Sequence, residues 1–337
     1  MMKDIFGREL ADLRVSVTDR CNFRCVYCMP EEIYGERYQF LPKPELLTYE
    51  EIERLVTIFI GLGAKKIRIT GGEPLLRSQL NVLLAKLVKI EGLEDLTLTT
   101  NGFLLQKQAL SLKNAGLQRV TVSLDALDDS ILAKINGRKI ESQRILDGIQ
   151  TANEVGLSPI KINVVVQRGI NEHAIVDIVR HFKGTGNIVR FIEYMDVGTK
   201  NQWELSQVVS AAEILGIVND EFPVEPLSKS YVGEVADRYK FLDGDGEIGI
   251  ISSVTKPFCS QCTRARLSAD GKLFTCLFSG AGIDLKKPIR EGLTDDELET
   301  IIRDTWAQRT DRYSELRAQL SDKERNHPKI EMYQIGG

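Results

Sequence analysis

The sequence predicts an α/β fold built on a parallel sheet, and three observations predict it. Between residues 13 and 196 one unit recurs: a short β-branched run, a loop, then a segment of helical period. The stretches SLKNAG, ANEVG and FKGTG each close such a segment with the glycine that a C-cap favours. One helical segment, TYEEIERLVTIFIGLG, opens with Thr48 and Glu51 at the spacing of a capping box. Strands alternating with helices of this length imply right-handed crossovers and a sheet either doubly wound or curled into a barrel. In both architectures the chemistry collects at the C-terminal ends of the strands.

Six runs read as strands in order: LRVSVTD (13–19), KKIRITGG (65–72), LEDLTLTTNG (93–102), RVTVSLDAL (119–127), IKINVVVQ (160–167) and IVRFIEYMD (188–196). The residues at the end of each run are informative. Three cysteines in DRCNFRCVYCMP come after the first, Gly71-Gly72-Glu73-Pro74 after the second, Thr99 to Gly102 after the third and Ser123 to Asp125 after the fourth, while Met195 sits near the end of the sixth. Past residue 196 the pattern changes. VGTKNQW and FPVEPLSKSY read as connections, and DGDGEIGIISSV reads as a turn entering a strand. Residues 293–320 have helical period, with Leu298, Ile301, Ile302 and Trp306 as the inner face and the charges solvated outside.

Composition limits the function. A chain of 337 residues is long enough for about two domains, or one barrel with an appendage. Hydrophobic residues at 42%, charged residues at 27% and no apolar run near the roughly 18 residues of a membrane helix predict no membrane partner. The opening MMKDIFGRELADLRV lacks a secretory core, so a reducing, cytoplasmic setting without disulfides is expected. A net charge of −4 argues against general nucleic-acid binding.

Cys21, Cys25 and Cys28 carry the first chemistry. A structural zinc site wants four ligands, and His173, His181 and His327 are remote in sequence. Three thiolates on one loop suit a [4Fe–4S] cube with one iron left open; zinc and buried free thiols remain as alternatives from spacing alone. A CxxxCxxC motif at the end of a first strand, with Tyr27 before its last cysteine, resembles the radical S-adenosylmethionine enzymes. The resemblance implies a partial (β/α)6 TIM-like barrel. It also implies an open iron that chelates S-adenosylmethionine, whose one-electron cleavage gives a 5′-deoxyadenosyl radical. Gly72 and Glu73 match the family's GGE motif at the methionine moiety. Ser123 is expected at the carboxylate or ribose and Met195 at the adenine, although a strand-end cap and a core filler are the plain alternatives.

The remaining thiols, Cys259, Cys262 and Cys276, form a second triad. A zinc ribbon short of a ligand, or completed by His327, is one reading; a centre with a vacant position for substrate is the other. Ala269-Asp270-Gly271 reads as a three-residue hairpin loop with Gly271 in the left-handed position. On that register Cys262, Arg264 and Arg266 share one face and Cys276 lies across from Arg264. Two guanidiniums beside an open centre suit a polyanion, while solubilising charge is the alternative.

Together with KIRITGGEPLLR, TTNG, VSLDAL, NGR, FIEYMDVG and the terminal Gly336-Gly337, the segment CTRARLSADGKLFTCLF resembles the GTP 3′,8-cyclase family of molybdenum cofactor biosynthesis. The likeness implies two domains, a barrel over 1–220 and a C-terminal α+β region over 221–337 that carries a second [4Fe–4S] cluster and binds GTP. Arg14, Arg68, Thr99 and Lys161 match GTP-binding positions, which Arg264 and Arg266 complete. The expected lyase removes hydrogen from C3′ of GTP, joins C3′ to C8 and yields 3′,8-cyclo-7,8-dihydro-GTP, with the Gly336-Gly337 tail assisting catalysis alongside Arg264 and Arg266. Implied partners are an external electron donor and a downstream cyclic pyranopterin monophosphate synthase; a homodimer is left open. The competing readings are a peptide-modifying maturase of the same superfamily and a zinc-binding nucleic-acid module.

Overall fold

Each of the six sequence runs forms a strand: β1 (Asp12–Ser16), β2 (Lys66–Thr70), β3 (Asp95–Thr100), β4 (Arg119–Ser123), β5 (Lys161–Val166) and β6 (Ile188–Glu193). The computed structural model describes residues 2–231, 233–320 and 328–336. After residue 220 come β7 (Val224–Leu227), β8 (Asp237–Phe241), β9 (Glu247–Ile251), β10 (Arg264–Leu267), β11 (Lys272–Phe274) and β12 (Ile283–Asp284). All twelve lie in one sheet of order β12-β11-β10-β1-β2-β3-β4-β5-β6-β9-β8-β7. The first six pair in parallel through crossover helices such as Tyr49–Gly61, Leu105–Asn114 and Ser142–Glu154, the arrangement of a partial (β/α)6 barrel.

Alternation along the strands divides the sheet into two faces. Leu13, Val15, Ile67, Ile69, Leu96, Leu98, Val120 and Val122 are buried against helix residues that include Leu55, Phe59, Leu83 and Leu112. Fully burying each such side chain contributes about 1.5–3 kcal/mol. The opposite face carries Arg14, Arg68, Thr97, Thr99, Thr121, Asn163 and Arg190. A polar inner face of this kind can hold a ligand. The Thr48–Glu51 capping box forms in both directions, and Gly116, Gly156 and Gly184 take the positive φ their C-cap positions require.

The C-terminal region does not stand apart from this sheet. β9 pairs in parallel with β6 and β10 in parallel with β1, so the region adds a strand to each edge of the six. The connection from β9 to β10, residues 252–263, therefore passes from one edge to the other and bears Cys259 and Cys262. Glu193, fully buried at the end of β6, fastens it: its carboxylate accepts from Val254 N (2.7 Å), Thr255 N (2.8 Å) and Ala211 N (2.7 Å).

One expectation changes. The helical period over 293–320 is realised as Asp295–Ala307, with a break before Tyr313–Leu316. Leu298, Ile302 and Trp306 are buried as the period requires. Just past the helix Arg309, three residues beyond Trp306, is almost wholly buried and donates to the Cys262 carbonyl (2.8 Å).

Candidate active site

One cavity of about 300 Å³ lies against the polar inner face, and all six cysteines line it. The six are free thiols. Cys21, Cys25 and Cys28 sit on the loop after β1, which is packed tightly against the loop after β2. A Cβ at Gly72 would lie 2.4 Å from the Arg20 carbonyl oxygen, and Gly72 N and Glu73 N donate to Thr18 O and Arg20 O (2.8 Å each). Only glycine admits that approach. Burial, then Glu73, pushes the Cys21 thiol up to about 12; burial and the two neighbouring thiols raise Cys25, and burial with Cys21 raises Cys28.

Three thiols held this way are poorly placed to ionise on their own, and a polycationic centre is what would make them thiolates. Among the described residues no three His, Cys, Asp or Glu side chains converge on a single ion. A [4Fe–4S] cube takes three thiolates, each on its own iron, whereas a structural zinc ion wants four ligands. Asn101 Nδ2 and Phe23 N point at the Cys21 sulfur (3.9 and 3.4 Å), the polar second layer that such a centre uses.

In the second triad Arg264 Nη2 lies 3.4 Å from the Cys262 sulfur. Burial raises the Cys262 thiol, but Arg264 and Arg309 outweigh it and bring the group down to about 6. Cys276 goes the other way, up to about 12, through burial and then Asp311. The hairpin has the register expected of it: Arg266 pairs with Phe274, Ser268 N bonds Lys272 O (2.9 Å) and Gly271 has φ +83°.

The inner face concentrates positive charge. Arg266, Arg14 and Arg68 occupy matching positions on three adjacent strands. Like charges directly opposite one another are unfavourable in a sheet. Burial, then Arg266, Arg264 and Arg68, holds Arg14 well below its ordinary range; burial and Arg264 bring Arg266 to about 10; burial and Arg68 bring Arg190 to about 9. Nε of Arg264 and Nε of Arg266 are buried without a hydrogen-bond partner. An arrangement this costly fits the binding of a polyanion.

Tyr27, Gly72, Ser123, Met195, Arg14, Arg68, Thr99, Arg264, Arg266 and Gly336 all line the cavity. Tyr27 Oη donates to Asp125 Oδ2 (2.9 Å), and Arg68 Nη1 donates to Thr99 and Thr121 (3.1 Å each). Gly337 and His327 lie outside the described residues. Two expected residues stand elsewhere. Glu73 is buried behind the wall, its carboxylate accepting from Thr100 Oγ1 (2.7 Å), Asn101 N (2.7 Å) and Leu75 N (3.0 Å), and burial lifts it to about 7. It fixes the loops after β2 and β3, with Oε1 accepting two of these hydrogen bonds and Oε2 one. Lys161, the first residue of β5, is half-buried and off the cavity wall; burial, then Arg190 and Arg119, brings it to about 7.

Several wall residues escaped the sequence reading. Arg190 donates to Asn163 Oδ1 through Nε (3.0 Å) and Nη2 (2.7 Å), and its place between Val189 and Phe191 gives it the same inward parity as Arg68 in KIRIT. That signal was available. Tyr231, over the Lys66 ammonium at 4.9 Å, comes from a connection whose sequence carries no periodicity.

Comparison with known proteins agrees with this geometry. Residues 15–182 match the Radical SAM superfamily model and residues 187–315 match Molybdenum Cofactor Synthesis C. The GTP 3′,8-cyclase of Staphylococcus haemolyticus (strain JCSC1435) is 50% identical over 337 residues, covering 100% of this chain and 99% of the relative; that of Staphylococcus aureus (strain MRSA252) is 49% identical over the same shares. Among solved structures, Streptococcus suis SuiB bound to S-adenosylmethionine superposes with a TM-score of 0.62 at 16% identity, covering 89% of this chain and 66% of that one. A S-adenosylmethionine-bound anSMEcpe gives 0.50 at 16% identity, covering 63% and 58%. The superpositions establish the shared barrel. Full-length identity near one half, with both family models in chain order, establishes the rest: this chain belongs to the GTP 3′,8-cyclase family of radical S-adenosylmethionine enzymes.

Proposed function

We propose that this protein converts GTP to 3′,8-cyclo-7,8-dihydro-GTP, the ring-forming step at the head of molybdenum cofactor biosynthesis. The observation that carries the reading is that both cysteine triads and the row Arg266, Arg14, Arg68 line one cavity. Cys21, Cys25 and Cys28 would hold the iron–sulfur cluster that binds S-adenosylmethionine, and Cys259, Cys262 and Cys276 a second [4Fe–4S] cluster facing the guanine. Bound there, cluster and S-adenosylmethionine supply a one-electron sulfonium cleavage and so an acceptor for the C3′ hydrogen of GTP.

The chain's own residues then divide the work. Tyr27, Gly72, Ser123 and Met195 surround the cofactor. Arg14, Arg68, Arg264, Arg266 and Thr99 bind the nucleotide, whose triphosphate of about four negative charges offsets the guanidinium repulsion. Lys161 adds to that field from the inner face of β5, two residues before Asn163. The tail seats Gly336 against Thr70 at the cavity wall, where it would help to keep water from the reacting C–H. Residues 1–220 would act as the barrel and 221–337 as its GTP-binding complement. The electrons come from an external donor, the product passes to cyclic pyranopterin monophosphate synthase, and the setting is the reducing cytoplasm.

The test is anaerobic incubation of the iron-loaded protein with S-adenosylmethionine, a strong reductant and GTP, followed by chromatography and mass spectrometry. An isomer of GTP formed in step with 5′-deoxyadenosine is expected. Deoxyadenosine without that isomer would refute the substrate assignment.

A further inference from the structure

The helix Met332–Ile335 brings Met332, Tyr333 and Gly336 to the cavity wall, yet four residues are far too few for a helix to hold its own position. Something must fix it. Its N-cap is Glu331, whose carboxylate accepts from the Gln334 backbone while the Gln334 side chain accepts from Glu331 N (3.2 Å). The same carboxylate reaches across to the loop after β6: Oε1 accepts from both Thr199 N (2.9 Å) and Thr199 Oγ1 (3.0 Å). Its other oxygen lies so close to Gly198 that a Cβ there would be 2.1 Å from Oε2, and Gly198 has φ +74°.

That loop begins with Met195, also on the cavity wall, and Asn201 ties it by donating to the carbonyls of Met195 (3.3 Å) and Val197 (3.2 Å). A second link runs in parallel, from Lys329 Nζ to Asp196 Oδ2 (3.0 Å). The loop presenting Met195 and the tail presenting Gly336 thus meet at the Glu331 carboxylate and at the Lys329–Asp196 pair.

We propose that Glu331 is a positioning residue that fastens the Met195 loop and the C-terminal tail into one unit, so that the cofactor side and the tail side of the chamber order together. The inference rests on the reading that S-adenosylmethionine occupies the Met195 side. A ligand that orders the loop then lowers the cost of seating the tail, and seating the tail raises affinity for that ligand by the same factor. Gly198 belongs to the device, because only a residue without Cβ leaves the carboxylate its place.

Hydrogen exchange by mass spectrometry on the full iron-loaded chain tests this, tracking peptides over 195–203 and 328–336 with and without S-adenosylmethionine. In the wild type the ligand slows exchange in both segments. Glu331→Ala speeds exchange in both by about tenfold, the scale of one charge-assisted hydrogen-bond pair, and ligand then protects the loop without protecting the tail. Gly198→Ala, which leaves Glu331 in the chain, reproduces that uncoupling, and Glu331→Gln, which retains an acceptor for Thr199, restores it in part. Cyclised product per 5′-deoxyadenosine falls in both alanine variants while iron content is retained. Ligand protection of the tail persisting in Glu331→Ala and Gly198→Ala, or faster exchange confined to the tail, overturns the proposal. Failure of the wild type to cyclise GTP counts against the function proposed above, and the exchange data still decide the coupling.

Discussion

Replacing Gly336 by alanine probes the closed chamber most sharply. Gly336 has φ +69° and ψ 132°, a region costing a residue with a side chain about 1–3 kcal/mol. Its added Cβ would lie 2.0 Å from Thr70 Oγ1 and 2.3 Å from Thr70 Cβ at the end of β2. Non-bonded heavy atoms settle at about 3.5 Å or more, so the tail must withdraw by about 1.5 Å. Displacements of about 1 Å near reacting atoms cost about a hundredfold in rate. Gly336→Ala is therefore expected to lower formation of the cyclised nucleotide by at least about a hundredfold, with iron content and thermal midpoint close to wild type. Gly292→Ala is the control: Gly292 also has positive φ (+89°), but nothing lies within 4 Å of its Cβ, so it carries the backbone strain without the clash. It should lose a little stability and no turnover. Product is quantified by chromatography against 5′-deoxyadenosine. Wild-type cyclisation by Gly336→Ala would refute the reasoning that the tail rests on Thr70 during the reaction.

Three further outcomes rest on the charge and thiol geometry. Lys161 loses its proton near pH 7 in the ligand-free chain because burial and the cations Arg190, Arg119, Lys66 and Arg68 disfavour its charge; a bound triphosphate raises it again, so GTP affinity is full below about pH 7 and falls by up to about tenfold per unit above it. Calorimetric titration from pH 6.5 to 8.5 measures this, and Lys161→Arg should flatten the profile. Arg14→Leu should abolish GTP binding yet raise the ligand-free thermal midpoint, because burial and three neighbouring arginines penalise that guanidinium; a lowered midpoint would contradict the assignment. Cys259→Ala should reduce iron from about eight to about four atoms per chain and end cyclisation while leaving reductive cleavage of S-adenosylmethionine.

Where the fold was legible, local pattern and tertiary structure agreed. The run KIRIT alternates over Lys66–Ile69 as its burial does, and Thr48–Glu51 caps its helix as spaced. Arg14 and Arg68 are legible as family motif positions, and the strand parity that turns both inward also marks Arg190 in IVRFIE. The rest was illegible for physical reasons. Pairing of β10 with β1 joins residues some 250 positions apart, which no local period encodes. Arg309 is a charged residue on the buried side of the 293–320 segment, held by the Cys262 carbonyl some 47 positions earlier, a partner beyond the reach of any local period. Glu73 is marked in sequence by its position after β2, but its hydrogen bonds to Thr100, Asn101 and Leu75 depend on the loop after β3, which no local period encodes.

The central claim is that the C3′ hydrogen of GTP lies against the carbon released from S-adenosylmethionine, inside a chamber that both cysteine triads line. GTP deuterated at C3′ tests it directly, by mass analysis of the 5′-deoxyadenosine formed by the reduced protein. The account predicts one deuterium in each 5′-deoxyadenosine molecule. Unlabelled 5′-deoxyadenosine, formed while GTP is consumed, would contradict it.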